Sequence, residues 1–284
     1  MITKQEIMKV ARELKVDPNT IERDYVISWF LSGIYADDVL SKAFVFKGGT
    51  ALRKAYFPNY RFSEDLDFTV RDKHEALDER GLGSRLKNVA NTARELSGIS
   101  FELVSLEKTR EVFGEEAYEG KVEYAGPMGR RAGTLPRIKL DITFYENIIF
   151  PTNSRSLIHN YPDKEACVRN IEVYSIEEVL AEKLRSILQR TRPRDVYDLW
   201  RLLSQGEYTY DPQKLVRGFY DKCEHKGVSF KGVNDFFESG RLESHMNAWD
   251  STLGHQLKDV PDFRKVIHDL EIVINRIFAG QDNV

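Results

Sequence analysis

The sequence predicts an α+β fold, with a sheet built from the first half of the chain and helices following in the second. Three observations predict it. Residues 137–145 alternate, with Ile138, Leu140, Ile142 and Phe144 on one side and Lys139, Asp141, Thr143 and Tyr145 on the other, the period of a half-buried strand. The apolar run Ala43-Phe44-Val45-Phe46 stops at Gly48-Gly49, too short for a helix and right for a buried strand. From Ser175 onward nearly every pattern is helical, with starts at Ser175, near Pro193, at Asp211-Pro212, near Asn234 and at Pro261. The change divides the chain into residues 1–174, a core with N-terminal helices, and residues 175–284, a helical domain.

The elements follow in order. Thr3 and Glu6 form a capping box for a helix carrying Ile7, Val10, Ala11 and Leu14. Asp17 caps a second helix with Pro18 at its first position and Ile21, Tyr25, Trp29 and Phe30 as its inner face. Helix formers fill residues 50–56 until Pro58 stops them, and residues 62–70 alternate as a strand. A helical pattern covers Lys73–Leu96, interrupted at Gly81 and Gly83. Residues 99–107 and 121–124 form antiparallel strands, residues 126–134 a loop rich in glycine and arginine, and residues 171–174 a short strand. Ser175 with Glu178 makes a second capping box.

Composition bounds the function. A chain of 284 residues with 41% apolar content can bury a sizeable core. It has no 18-residue apolar run, so no membrane span is expected. Its N-terminus lacks the layout of a secretory signal, and Cys167 and Cys223 have no metal spacing. Free thiols in a reducing, cytoplasmic setting are the expectation. The net charge of −3 excludes a general polycation. Contact with nucleic acid would need a local basic patch.

Candidate site residues cluster first in 46–70. Asp65 and Asp67 project from one face of a strand. At that spacing two carboxylates repel by about 2–3 kcal/mol at an effective dielectric near 20. A divalent cation relieves the repulsion, and Mg²⁺ favours one or two carboxylates plus phosphate oxygens. Lys47-Gly48-Gly49-Thr50 opens a helix. Glycines there admit a phosphate close to the backbone, Thr50 adds a hydroxyl and Lys47 a charge. The lysine precedes the glycines, so this is not a Walker A loop. Arg53, in the same helix, is grouped with these nucleotide contacts. Asp141, on the polar face of the clearest strand, is the expected third carboxylate of a metal cluster. An ordinary strand-to-helix turn and solvent-facing acids are the plainer explanations of each piece alone.

The second half supplies the rest. Lys183 interrupts the apolar stripe of Ile176, Val179, Leu180, Leu184, Ile187 and Leu188, where a lysine is costly unless paired or snorkelling. A bound phosphate would explain it, and Lys183→Ala is expected to weaken nucleotide binding without unfolding. Asp195 and Asp198 stand in the first turn of the helix after Pro193, where the helix dipole favours acids, and Asp195 faces inward by spacing. Arg190, Arg192 and Arg194, with Arg130, Arg131 and Arg137, are the candidate contacts to RNA or phosphate.

Taken together and in this order, Lys-Gly-Gly-Thr, Ser-Glu-Asp-Leu-Asp-Phe, Lys139-Leu140-Asp141, Ala181-Glu182-Lys183-Leu184 and Arg194-Asp195-x-x-Asp198-Leu199 resemble the motifs of the AbiEii/MenT nucleotidyltransferase toxins. Ile21-Glu22-Arg23-Asp24-Tyr25-Val26 resembles that family's N-terminal region, so the likeness spans about residues 20 to 205. It implies a polymerase-β-like nucleotidyltransferase core with a mixed sheet, N-terminal helices and a C-terminal helical region that completes the active-site cleft. By the same resemblance Gly49 and Thr50 hold phosphate, Asp65 and Asp67 bind Mg²⁺ (or Mn²⁺), Lys183 holds the triphosphate and Asp195 is an essential acid. Arg194 stands where the family often has lysine, which keeps the charge. Family members act as toxins beside an antitoxin, and some add nucleotides to the 3′ end of tRNA.

Three functions are weighed. The first is transfer of NMP from an NTP to an acceptor hydroxyl of RNA, tRNA foremost. The second is the same transfer to a small molecule or a protein side chain, which the near-neutral charge favours. The third is a nucleotide-binding interaction module without turnover, against which the three carboxylates count.

Overall fold

The computed structural model describes all residues except 72–76, 113–114, 132, 145, 207 and 280–284. It comprises two compact units. One is Met1–Glu146 with Thr152–Val173, the other Asn147–Pro151 with Tyr174–Val284.

The first unit is built on a sheet. Among the described residues, seven strands run in the order β3-β4-β5-β2-β1-β7-β6. They are β1 (Phe44–Lys47), β2 (Asp65–Val70), β3 (Ser100–Val112), β4 (Glu115–Ala125), β5 (Arg137–Phe144), β6 (Asn153–Ser156) and β7 (Asn170–Val173). β2 pairs in parallel with β5, and β1 with β7. The other ladders are antiparallel, so the sheet is mixed as expected. Leu66 and Phe68 of β2 and Ile138, Leu140 and Ile142 of β5 are fully buried in the core. Helices α1 (Lys4–Leu14), α2 (Pro18–Ile34), the short α3 (Leu40–Ala43) and α4 (Gly48–Ala51), and α5 (Glu79–Ser97) belong to the same unit. Phe30 of α2 meets Phe101 of β3 at 5.5 Å between ring centroids. The opposite face of β2, β4 and β5 is polar.

Local chemistry explains most boundaries. Both halves of the Thr3/Glu6 capping box are present, and the Asp17 carboxylate accepts from the Asn19 N–H at 2.7 Å. α2 exceeds its predicted inner face. It is buried on almost every side, with Glu22, Asp24, Ser28 and Ser32 inside along with Ile21, Tyr25, Trp29 and Phe30. The helix predicted at 50–56 starts earlier, as α4 (Gly48–Ala51), and continues into a π-helical turn, Leu52–Tyr56. α5 starts at Glu79, because Asp78 caps it through the Gly81 N–H, and carries Gly83 within it. The predicted start at Lys73 lies outside the described residues, as does Tyr145. β6 was not predicted. Its sequence Asn-Ser-Arg-Ser has no apolar face, since it is an edge strand held by β7 alone.

The second unit is helical: α6 (Ile176–Gln189), α7 (Pro193–Ser204), α8 (Pro212–His225), α9 (Ser239–Leu253) and α10 (Phe263–Ala279). Near Asn234 the chain forms a 3₁₀ turn, Val233–Phe237, ahead of α9. Phe219, Phe230, Phe236 and Phe278 pack ring against ring, with centroids 4.9–5.7 Å apart. The second capping box is only half made. Ser175 accepts from the Glu178 N–H at 3.2 Å. The Glu178 carboxylate instead accepts from the N–H groups of Ile149 and Phe150, at 2.9 and 2.7 Å, and pairs with Lys222 at 2.5 Å.

Candidate functional site: a row of charge across the sheet

The polar sheet face places four charged residues in one row. Lys47 of β1 is the Cα partner of Asp67 on β2, Asp67 of Asp141 on β5, and Asp141 of Glu119 on β4. Three acids thus stand opposite one another on adjacent strands, an arrangement that destabilises a sheet unless cations share it. Asp65 lies one pleat along, partnered by Lys139. Asp65, Asp67 and Asp141 are all half-buried.

The row is partly neutralised from within. Lys139 Nζ stands 3.1 Å from both Glu119 Oε2 and Asp141 Oδ1. Burial pulls the Lys139 ammonium down, but Asp141 and Glu119 outweigh it and hold the group above the ordinary lysine range. Hydrogen bonds from Lys139 and Lys121 hold Glu119 below the usual carboxylate range. Glu119 escaped the sequence reading. The alternation of Tyr118, Val122 and Tyr124 with Glu119, Lys121 and Glu123 was the signal that could have found it.

Among the described residues, no three His, Cys, Asp or Glu side chains gather as a metal-holding group. Asp67 and Asp141 stand in register on adjacent strands, and Asp65 lies two residues from Asp67 on the same face of β2. The pair still fits a hard cation. Mg²⁺ needs one or two carboxylates, and substrate phosphates complete its shell.

The glycine turn is fitted to Asp67. Gly48 has φ +77°, and a Cβ there would lie 2.3 Å from Asp67 Oδ2. Backbone conformation and the carboxylate both require glycine. Gly48→Ala is expected to cost about 1–3 kcal/mol and to lower activity by more than about tenfold by displacing Asp67. Thermal melts and steady-state rates would check this, and an unchanged rate would show the contact to be incidental. At Gly49 the neighbour is Arg61, whose Nη2 would lie 2.2 Å from a Cβ. Arg61 is 3% exposed and was not anticipated, because nothing in its local pattern marks it as buried.

Three other expected nucleotide contacts have protein partners. Thr50 Oγ1 donates to the Asp65 carbonyl at 2.5 Å, tying the turn to β2. Lys47 is buried and paired with Glu146, whose Oε2 also accepts from Thr69 Oγ1 at 2.7 Å. Arg53 is buried against Phe62, with its guanidinium 3.7 Å from the ring centroid, and bonds to Asp24 at 2.7 Å. Of the arginines in this unit, Arg130 bonds to Asn19, Arg131 is exposed, and Arg137 donates twice to Glu123 Oε1, at 2.9 and 2.6 Å.

The helical unit holds a second cluster. Lys183 on α6 stands 2.8 Å from Asp195 Oδ1 and 2.7 Å from Asp198 Oδ2, both on α7. Asp195 and Asp198 are 5% and 0% exposed. Arg190 reaches Asp195 Oδ2 at 3.0 Å through Nε and Nη2. Burial of Lys183 is thus met by two acids, where sequence reasoning invoked a phosphate. Arg192 is exposed and Arg194 half-buried.

Comparison with known proteins gives the site its setting. Residues 29–273 match the family of AbiEii nucleotidyl transferase toxins of type IV toxin–antitoxin systems. The fold is similar to that of MenT4, a nucleotidyltransferase toxin from Mycobacterium tuberculosis, with 21% identity, a TM-score of 0.63, and 100% of this chain and 91% of that one covered. It is also similar to JHP933 from Helicobacter pylori, with 18% identity, a TM-score of 0.58, and 93% and 94% covered. Curated proteins give no match. At these identities the solved structures bear on the fold, and the match over most of the sequence bears on the family. The chain belongs to the AbiEii nucleotidyltransferase toxin family.

Proposed function

We propose that this enzyme transfers NMP from an NTP to the 3′ hydroxyl of an RNA, tRNA foremost, with pyrophosphate leaving. The observation that carries the reading is Asp67 standing opposite Asp141 in register, with its carboxylate over Gly48. Asp67 and Asp141 would hold a divalent cation, magnesium or manganese, with Asp65 beside them on β2. When bound, that ion supplies the charge that steadies the phosphates and activates the acceptor hydroxyl. Gly48, Gly49 and Thr50 keep the chain close to Asp67 and present backbone to a phosphate. By the family likeness, Lys183 of the helical unit is assigned a phosphate-binding role, with Asp195 and Asp198 as its partners in this structure. Asp195 orients it. Type IV membership implies an antitoxin partner. No helix among the described residues is long and apolar enough to cross a membrane, and a cytoplasmic setting goes with an RNA acceptor.

The test is incubation with each labelled NTP and total RNA, with and without a divalent cation. Label in RNA of tRNA size, lost on chelation and weakened steeply by salt, is the expected result. Label confined to small molecules or protein would replace RNA with the other acceptors, which the net charge of −3 favours. Tight NTP binding without product in any extract would leave a non-catalytic module.

A further inference from the structure

A group of buried ions in the first unit lies outside the carboxylate row. Asp24 of α2 is 3% exposed, Arg53 8%, Lys54 2% and Tyr161 6%. Neighbouring residues on a helix do not face one another, yet Arg53 and Lys54 both reach one carboxylate. Arg53 Nε lies 2.7 Å from Asp24 Oδ1 and Lys54 Nζ 2.9 Å from Oδ2. Lys54 Nζ also donates to the Asp24 carbonyl at 2.8 Å, and the Tyr161 hydroxyl to Oδ2 at 2.8 Å. Arg53 donates in addition to the Tyr60 carbonyl. Every heteroatom of Asp24 beyond its N–H therefore binds a cation or a hydroxyl.

Stability alone does not call for such a group, since well-packed apolar side chains often hold a core as well as buried ion pairs do. What the ions add is geometry. Both cations sit on the π-helical turn Leu52–Tyr56, which continues directly from Gly48–Ala51. Such wide turns recur at functional sites. We infer that Asp24 is a positioning residue for the glycine turn: by clamping Arg53 and Lys54 it fixes where Gly48 and Thr50 stand against Asp67 and Asp65. Asp24 touches none of the reacting groups and acts through that segment. Burial would raise its carboxyl, but Arg53 and Lys54 outweigh burial and hold it ionised, far below the usual carboxylate range. The inference rests on the reading that this turn serves an NTP.

The experiment compares Asp24→Asn and Tyr161→Phe with the wild type by amide hydrogen exchange, NTP calorimetry and steady-state kinetics. In Asp24→Asn, exchange over residues 48–56 should rise about tenfold more than over β5. The Kd for NTP should rise about tenfold, with KM following it. Tyr161→Phe, which removes one hydrogen bond to Asp24, should move both readouts the same way by about two- to threefold. Leu86→Ala, in the α5 core, should lower the melting temperature without changing the NTP Kd. Uniform exchange in the Asp24 variant, or an unchanged Kd in the folded protein, overturns the inference. Should Asp24→Asn fail to fold, Tyr161→Phe decides by the same criteria. A wild type that binds no NTP removes the proposed function, and the exchange comparison alone then decides the positioning role.

Discussion

Asp67→Asn is expected to abolish nucleotidyl transfer, by about 10²–10³-fold or more, with the fold intact. Asp67 combines three placements. It lies opposite Asp141 in a parallel ladder, opposite Lys47 in an antiparallel one, and against the backbone of Gly48. Asparagine keeps the volume and removes the charge a divalent cation needs. It also relieves the repulsion between facing acids. Stability should therefore stay within about 0.5 kcal/mol of wild type, as for most substitutions outside a core. Label incorporation from NTP and a thermal melt on the same sample check both halves. Wild-type labelling by this variant would remove the metal role from Asp67, and a drop of several degrees in Tm would reassign the residue to structure.

The second large effect is on stability. Lys183→Ala should destabilise the protein by about 3–5 kcal/mol, because it leaves two buried acids without their common cation. Asp195 retains Arg190, but Asp198 is fully buried and loses its Lys183 bond at 2.7 Å. Sequence reasoning expected nucleotide binding to weaken without unfolding. The two ion pairs revise that expectation. A lower denaturation midpoint at constant m-value is the signature. Lys183→Ala combined with Asp198→Ala should recover part of the loss, because it removes a buried carboxylate along with the cation it pairs with. A single variant as stable as wild type would show that the acids find other partners.

These two residues mark how far the sequence could be read. Asp67 was legible because β2 carries its own signal. Leu66, Phe68 and Val70 declare one face, so Asp65 and Asp67 must share the other. β5 and the cap of α2 were legible for the same local reason. Lys183 was half legible. Its place in an apolar stripe showed burial, but its partners lie 12 and 15 positions away on another helix, beyond any periodicity. The stretch around Asp24 carried a family likeness, but its ion pairs were not legible, since its partners Arg53, Lys54 and Tyr161 are separated from it by 29, 30 and 137 positions. β6 failed in the opposite way. An edge strand with one neighbour needs no apolar alternation, so no pattern announces it. Glu178 shows a local motif losing to tertiary demand: its sequence spells a capping box, yet Ile149, Phe150 and Lys222 claim the carboxylate.

The segment Asn147–Pro151 therefore bears on how this gene can be cut. It belongs to the helical unit although the chain returns afterwards to finish the sheet. An expression fragment ending at residue 174 would carry Ile149 and Phe150 without the glutamate that accepts their N–H groups. A fragment starting there would present Glu178 and Lys222 without that loop, and would leave the ring of Phe150 missing from the surface of Gly218. Neither half is a portable cassette. Domain exchange between relatives would need two junctions, one on each side of this five-residue insert, transferred together.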